Sequence, residues 1–495
     1  MCEFIPAAGQ WSNVEMPSDI VMMDAGELAG TIRARKISCV EVMTAYLDHI
    51  DRLNPKVNAI VALQERADLI KQAREKDAAL AGGKAVGPLH GFPFAVKDLT
   101  SVRGIRTTMG SPILKDNVPA ADSAMVARVR NAGAIFIGKT NTPEFGLGSN
   151  TFNPVYGITG NAYDQSRSAG GSSGGAAVAL ALRMLPLADG TDYAGSLRNP
   201  AGWNNVFGFR TSIGRVPADG RDAFMPTMGV IGPMARNVPD LALLLAVQAG
   251  YDARVPLSIA GDGAPFREPL ERDFNGTRIA WTGDYGGYIP YEEGVLDLCK
   301  SALKTFESMG CIVEEARPDF SMEALWAAFL PLRAWQTAGA LSVHYRDPAK
   351  RALLKPEAIF EIESAQKLSA LDITAASAVR SEWYQATRRF FERYDYFIVP
   401  TAQVFPFDAN LHWPREIAAV EMKIYYEWQK GVIPTTMAGN PALAVPAGFN
   451  AAGLPMGIQI AAPNHGELAC LQLAHAYDLA TGWTRQRLPP LLAHV

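Results

Sequence analysis

Apolar residues Val40, Met43, Tyr46, Leu47 and Ile50 recur at helical period, just after Ser38-Cys39-Val40-Glu41. A serine followed three residues later by a glutamate is a capping box, so a helix is predicted from there. Asp24-Ala25-Gly26-Glu27 has the same spacing and predicts a second box. Residues 1–23 read as irregular. A polar helix is predicted over 63–81, then an apolar strand, Pro93-Phe94-Ala95-Val96, that ends on Lys97. Residues 123–132 read as a helix and Ala134-Ile135-Phe136-Ile137 as a buried strand. Together these form a β-α-β unit, which predicts a largely parallel, helix-covered sheet.

Further along, a helix is predicted over 174–184 and a short strand over 185–188. A helix over 240–249, a strand over 278–281, a helix over 294–309 and a strand over 311–313 follow. Residues 322–394 are helical in pattern and carry Trp326, Phe329, Trp335, Phe360, Trp383 and Tyr384. They read as a helical excursion or cap. The chain returns to the sheet at 396–399. A loop punctuated by Pro400, Pro406 and Pro414 comes next. The end alternates strands (442–445, 457–460) with a helix over 468–479. The pattern predicts an α/β fold: a large mixed, mostly parallel central sheet with helices on both faces. No glycine-, proline- or serine-rich linker, repeat or low-complexity tract divides the chain, so residues 1–495 are expected to form one domain.

Composition narrows the function. The chain has 495 residues, 48% hydrophobic and 19% charged, with a net charge of -4. That is globular composition. No basic stripe argues for nucleic acid, and no basic amphipathic helix argues for a membrane surface. The best apolar run, 176–182, is stopped by Arg183, too short to span a bilayer. Met1-Cys2-Glu3-Phe4-Ile5-Pro6 lacks the basic and apolar regions of a signal peptide. Cys2, Cys39, Cys299, Cys311 and Cys470 are odd in number and scattered, which fits reduced thiols in the cytoplasm. No CxxC or HxxxH is present, so no metal is expected from spacing.

The chemistry concentrates in two glycine-serine segments, Ser168-Ala169-Gly170-Gly171-Ser172-Ser173-Gly174-Gly175 and Asp189-Gly190-Thr191-Asp192-Tyr193-Ala194-Gly195-Ser196-Leu197-Arg198. Glycines let backbone carry hydroxyls close to a ligand. A lysine leaving a buried strand can be neutral near pH 7 and then acts as a base. Taken singly, each segment reads equally well as a plain turn, and Lys97 as a strand-end lysine with its head in water. Two other patterns compete. Gly133-Ala134-Ile135-Phe136-Ile137-Gly138-Lys139-Thr140 matches a phosphate loop, but its middle is a β-strand and cannot form a nest of N–H groups. GxSxG is centred on both Ser172 and Ser173, yet the preceding residues are too polar for a nucleophile-elbow strand. From sequence alone His344, His412, His465 and His475 stay open as a base.

These segments resemble the amidase signature family over nearly the whole chain. Its glycine-serine core is matched from Ser168 to about Pro217. Flanking matches are Leu89-His90-Gly91-Phe92-Pro93-Phe94-Ala95-Val96-Lys97-Asp98, Gly138-Lys139-Thr140-Asn141-Thr142-Pro143-Glu144-Phe145 and Gly439-Asn440-Pro441-Ala442-Leu443-Ala444-Val445-Pro446-Ala447-Gly448. The resemblance implies the amidase signature fold and a triad of Ser196 (nucleophile), Ser172 (bridging, after a cis Gly171–Ser172 bond) and Lys97 (base). It implies an oxyanion hole from the backbone of Tyr193, Ala194, Gly195 and Ser196. Gly171, Ser173, Asp192 and Arg198 would brace the site, and Phe145, Gly148 and Tyr193 would touch substrate.

No cofactor is implied, and the enzyme is expected as a monomer or homodimer acting on a small-molecule amide or carbamate. Aromatics of the helical excursion, with Tyr425, Tyr426 and Trp428, suggest a hydrophobic or aryl amide. Carbamates (as a urethanase) and esters fit the same acyl-enzyme chemistry. A rival is the glutaminase-type subunit of a tRNA-dependent amidotransferase. Three departures weaken that rival: Tyr193-Ala194 where Thr-Gly is common, Asn204-Asn205 where Cys-Gly is common, and Arg210-Thr211 where Lys-Pro is usual. The intact Lys97, Ser172 and Ser196 argue against a non-catalytic binding protein.

Overall fold

The Ser38 capping box closes and starts helix Cys39–Val57. The Ser38 hydroxyl accepts the Glu41 N–H at 3.0 Å, and the Glu41 carboxylate accepts the Ser38 N–H at 2.7 Å. The Asp24 box does not form. Helix Ala25–Arg33 is capped instead by Asp240, whose carboxylate accepts the N–H groups of Ala25 (2.7 Å) and Gly26 (2.9 Å). A carboxylate from any element can satisfy the orphan donors of a helix start. The computed structural model describes residues 19–220, 222–225 and 227–493. Within the expected irregular stretch, Asp19–Met22 is a short helix, and residues 1–18, with Cys2, lie outside the described residues.

The β-α-β unit is present. Strand Pro93–Lys97 runs parallel to Ile135–Thr140, with helix Ala124–Asn131 between them in the chain. It builds a three-stranded sheet of its own, with Ile60–Val61 pairing antiparallel on Ile135–Thr140. The large sheet has eight strands, in the spatial order Ile312–Glu315, Arg278–Trp281, Tyr396–Pro400, Pro455–Ala461, Ala442–Phe449, Phe207–Arg210, Val230–Ala235 and Ala188–Asp192. It is mixed, as expected, but not mostly parallel. Only the first three strands run parallel, and every later pairing is antiparallel. Sequence-adjacent strands such as Ala442–Phe449 and Pro455–Ala461 turn back directly and need no crossover helix.

Helices surround the sheet. Arg198–Trp203 and Val295–Ser308 pack on Ala442–Phe449. Residues 322–390 hold Met322–Tyr345, Pro348–Arg351, Pro356–Ala365 and Ala370–Phe390, the helical excursion read from sequence. Buried apolar side chains form one cluster from Val21 to Leu492. At its centre lies helix Gly174–Ala181, buried along its whole length. Gly175 is required there, because a Cβ would stand 2.4 Å from the Asn141 backbone nitrogen.

Candidate active site

Strand Pro93–Lys97 is buried throughout and delivers Lys97 to the interior, fully shielded from solvent. Its Nζ lies 2.7 Å from Ser172 Oγ, 2.9 Å from Ser173 Oγ and 2.8 Å from Thr191 Oγ1. Burial pushes the amine down to about 7, against the pull of Asp189 and Asp192. Loss of hydration penalises the charged form, so near neutral pH a large share of Lys97 is unprotonated. A neutral amine surrounded by hydroxyls can accept a proton from one of them.

The loop bearing Ser172 is tied down on both sides. The Gly171–Ser172 peptide is cis. Ser149 Oγ donates to the Gly171 carbonyl at 2.5 Å, Thr151 Oγ1 donates to the Gly170 carbonyl at 2.8 Å, and Ser168 Oγ donates to Asn150 Oδ1 at 2.6 Å. Asn204, one of the departures from the family pattern, donates to the carbonyls of Ala169 (2.8 Å) and Pro200 (2.9 Å). It thereby bonds both the loop and the helix that follows Ser196.

Ser196 follows strand Ala188–Asp192, which lies several residues beyond the expected position. Gly195 takes φ 91°, and a Cβ there would meet Val432 Cγ2 at 2.8 Å. This turn is folded around Asp192. The Asp192 carboxylate accepts the N–H groups of Gly195 (3.0 Å) and Leu197 (3.1 Å). It also accepts Arg198 Nε (3.0 Å) and Nη2 (2.9 Å), and Arg210 Nη1 (3.2 Å). All three charged side chains are fully buried. Burial works to raise the Asp192 carboxyl, but Arg198 and then Arg210 overcome it and hold the group well below the usual carboxylate range. A buried charge cluster is tolerated only when its hydrogen bonds are satisfied. Here Arg198 also bonds the Val432 carbonyl, Gln459 Oε1 and Thr436 Oγ1. Arg210, noted in the sequence only as a departure, is therefore the second cation of this brace.

Two expected details differ. The Gly195 N–H, expected in the oxyanion hole, is occupied by Asp192. Among the described residues the N–H groups of Tyr193 and Ala194 have no acceptor. No hydrogen bond joins the Ser196 and Ser172 hydroxyls either, whereas Ser173 N–H donates to the Ser196 carbonyl at 3.2 Å. Catalytic hydrogen bonds commonly tighten only when substrate is bound.

Of the expected substrate contacts, Phe145 (φ 51°) stacks on His344 with ring centroids 5.8 Å apart. A Cβ on neighbouring Gly146 would stand 3.5 Å from Ser172 Oγ, so this turn borders the site. Gly148 has open space where a Cβ would go. Tyr193 lies 6.4 Å from Phe329 of the helical excursion, with the Arg333 guanidinium 5.4 Å over its ring. Arg333 is buried, paired to Glu361 at 2.7 Å, and lies 4.4 Å over Tyr426. Trp326, Phe329 and Tyr426 contact one another, so the excursion brings its aromatics towards Tyr193. Trp428 instead stacks on Trp203 in the core.

The competing patterns separate cleanly. Ile135–Thr140 is a buried strand, and Lys139 Nζ donates to the Thr100 carbonyl and to Thr107 Oγ1, so no phosphate cradle exists there. Among the described residues no histidine hydrogen-bonds Lys97, Ser172, Ser173 or Ser196. His344 packs on Phe145, and His412 on Phe152 beside Glu357. Among the described residues no cluster of three or more histidine, cysteine, aspartate or glutamate side chains could hold a metal ion, and no helix is long and apolar enough to cross a membrane. Thr191 and Asp189 were not singled out from sequence. Both stood in the quoted segment, but nothing in their spacing marked them as neighbours of Lys97.

The family described as Amidase matches residues 41–471. An acylamidase of Rhodococcus erythropolis is 33% identical over 469 residues, covering 94% of this chain and 97% of that protein. A glutamyl-tRNA(Gln) amidotransferase subunit of Acidothermus cellulolyticus is 34% identical over 478 residues, covering 90% and 92%. The crystal structure of a bacterial aryl acylamidase of the amidase signature family superposes with a TM-score of 0.88 at 28% identity, covering 96% of this chain and 99% of that one. With this fold and these matches across its length, the chain belongs to the amidase signature family and is an amidase.

Proposed function

We propose that the enzyme hydrolyses the C–N bond of a linear hydrophobic or aryl amide through an acyl-enzyme on Ser196. The observation that carries this reading is the buried Lys97 Nζ, 2.7 Å from Ser172 Oγ, at the foot of the loop that bears Ser196. Ser196 Oγ attacks the carbonyl carbon and passes its proton to Ser172, which passes its own to Lys97. The carbonyl oxygen, now an anion, is received by the N–H groups of Tyr193 and Ala194; such donors stabilise the charge as it develops. The relay then returns a proton to the leaving amine, the C–N bond breaks, and water releases the acid by the same route.

The aryl preference is supported by the ring cluster of Phe329, Trp326 and Tyr426 reaching Tyr193, and by the aryl acylamidase likeness. Carbamates and esters would acylate the same serine. The 34% identity to an amidotransferase component keeps a glutaminase role as the second reading. Among the described residues four cysteines are free and buried, which supports a reducing, cytoplasmic setting.

Wild type and Ser196→Ala assayed on 4-nitroacetanilide test the reading. Release of 4-nitroaniline by wild type and its loss by roughly 10⁴-fold or more in the variant is the expected result. Turnover that persists in Ser196→Ala would remove Ser196 as nucleophile. Turnover that needs a co-purifying partner would favour the amidotransferase reading.

A further inference from the structure

Lys97 and Ser196 hang on strands of different sheets. Pro93–Lys97 belongs to the three-stranded sheet, and Ala188–Asp192 is the edge of the eight-stranded one. Apart from the Nζ contacts with Thr191, one further bond joins the two strands: the Lys97 backbone N–H donates to Asp189 Oδ1 at 3.1 Å. Asp189 is fully buried, and its Oδ2 has no hydrogen-bond partner among the described residues. An orphaned buried carboxylate oxygen is costly, and a neutral amide would accept the same N–H without burying a charge. A clamp alone therefore does not call for an acid here.

The groups around the carboxylate supply a reason. The charges of Lys139, on the neighbouring strand, and of Lys97 both act on it, and Lys139 also feels Asp98. Asp192, the other carboxylate near Lys97, is committed to Arg198 and Arg210. In the relay, Lys97 becomes an ammonium in a site closed to water, where a fixed counter-charge has a large effect.

We propose that Asp189 is a positioning residue for the reaction: it ties the base strand to the nucleophile strand, and its charge stabilises Lys97 in the protonated form the relay creates. This rests on Lys97 as the base. Burial pushes the Asp189 carboxyl up to about 6, so it still carries charge at neutral pH.

The probe is phenylmethylsulfonyl fluoride, which needs no knowledge of the substrate. Ser196 Oγ bonds to sulfur, fluoride leaves, and the serine proton passes into the relay. The labelling rate is followed against pH by mass spectrometry for wild type and Asp189→Asn, with circular dichroism confirming the fold. Wild type is expected to show an acid limb near the Lys97 value of about 7. The asparagine variant keeps the acceptor but loses the charge. Its limb is expected to move down by about one pH unit, with a plateau lower by roughly tenfold. Asp189→Ser, smaller and also neutral, repeats the test if the asparagine variant does not fold. A folded neutral variant with an unmoved limb and plateau would reduce Asp189 to a clamp and overturn the proposal. Wild type that is not labelled, or labelled with no limb, would bring down the lysine-base reading and the proposal with it.

Discussion

Lys97 and Lys139 lie on adjacent parallel strands, Lys97 across from Thr140 and Lys139 across from Val96. Both are fully buried. Burial lowers both amines, Lys97 to about 7 and Lys139 to about 8. What separates them is what each Nζ touches. Lys97 meets three hydroxyls, two of them on the glycine-serine loop. Lys139 meets the Thr100 carbonyl and the Thr107 hydroxyl, whose own proton is committed to the Ile105 carbonyl at 3.1 Å, and feels Asp98. A hydroxyl can hand over a proton and a carbonyl cannot. Burial can make a lysine neutral, but only a partner able to donate makes it a base. This comparison supports the proposed role of Lys97 as the base and leaves Lys139 as a structural strut.

The comparison breaks most sharply under paired replacement. Lys97→Met is expected to lower kcat/KM by roughly 10³–10⁴, the upper part of the usual reach of general acid–base catalysis. Lys139→Met should stay within about tenfold of wild type. Equal losses in steady-state assays would erase the distinction. Next in size, Ser172→Ala interrupts the first link and should cost roughly 10²–10³ in kcat, while leaving Lys97 buried. A near-normal kcat would mean that Ser173 or Thr191 carries the proton instead. On stability the order reverses. Lys139→Met strands the Thr100 carbonyl and leaves Asp98 without its nearby cation, which should cost about 2 kcal/mol in urea unfolding. No loss would show that the strut contributes nothing. The smallest effect concerns metal. Dialysis against a chelator should leave activity unchanged, since the relay uses only side chains, and a chelator-sensitive enzyme would sink the mechanism.

Much of this was legible in the sequence, for physical reasons. Arg278–Trp281 stands where its apolar run predicted it, and the helices of 322–390 follow their periodicity. The glycine-serine segments were legible because their chemistry is local: the proposed nucleophile, the turn and the bracing aspartate lie within a few residues. Strand Ala188–Asp192 lies beyond the apolar run at 185–188 that predicted it, because its own residues include Asp189, Gly190, Thr191 and Asp192, mostly polar or strand-averse by propensity. Asp189 and Asp192 are buried there because they face Lys97 and the arginines. Long-range partners left no trace in the pattern. Asp240 capping the helix at Ala25, and Arg210 reaching Asp192 from another strand, are set by tertiary packing. The mostly parallel sheet failed likewise: one β-α-β unit was local and correct, while the pairing of the later strands was not written in periodicity.

The most direct test of Lys97 as a neutral base is the pH dependence of kcat/KM for wild type on a turned-over amide, which reports groups of the free enzyme. Protonated Lys97 cannot accept the relayed proton, so activity is lost as pH falls. The expected result is a rate that rises about tenfold per pH unit through the acid range and levels off above about 7, where the buried amine has lost its proton. A rate flat from mildly acidic to mildly alkaline pH would contradict it.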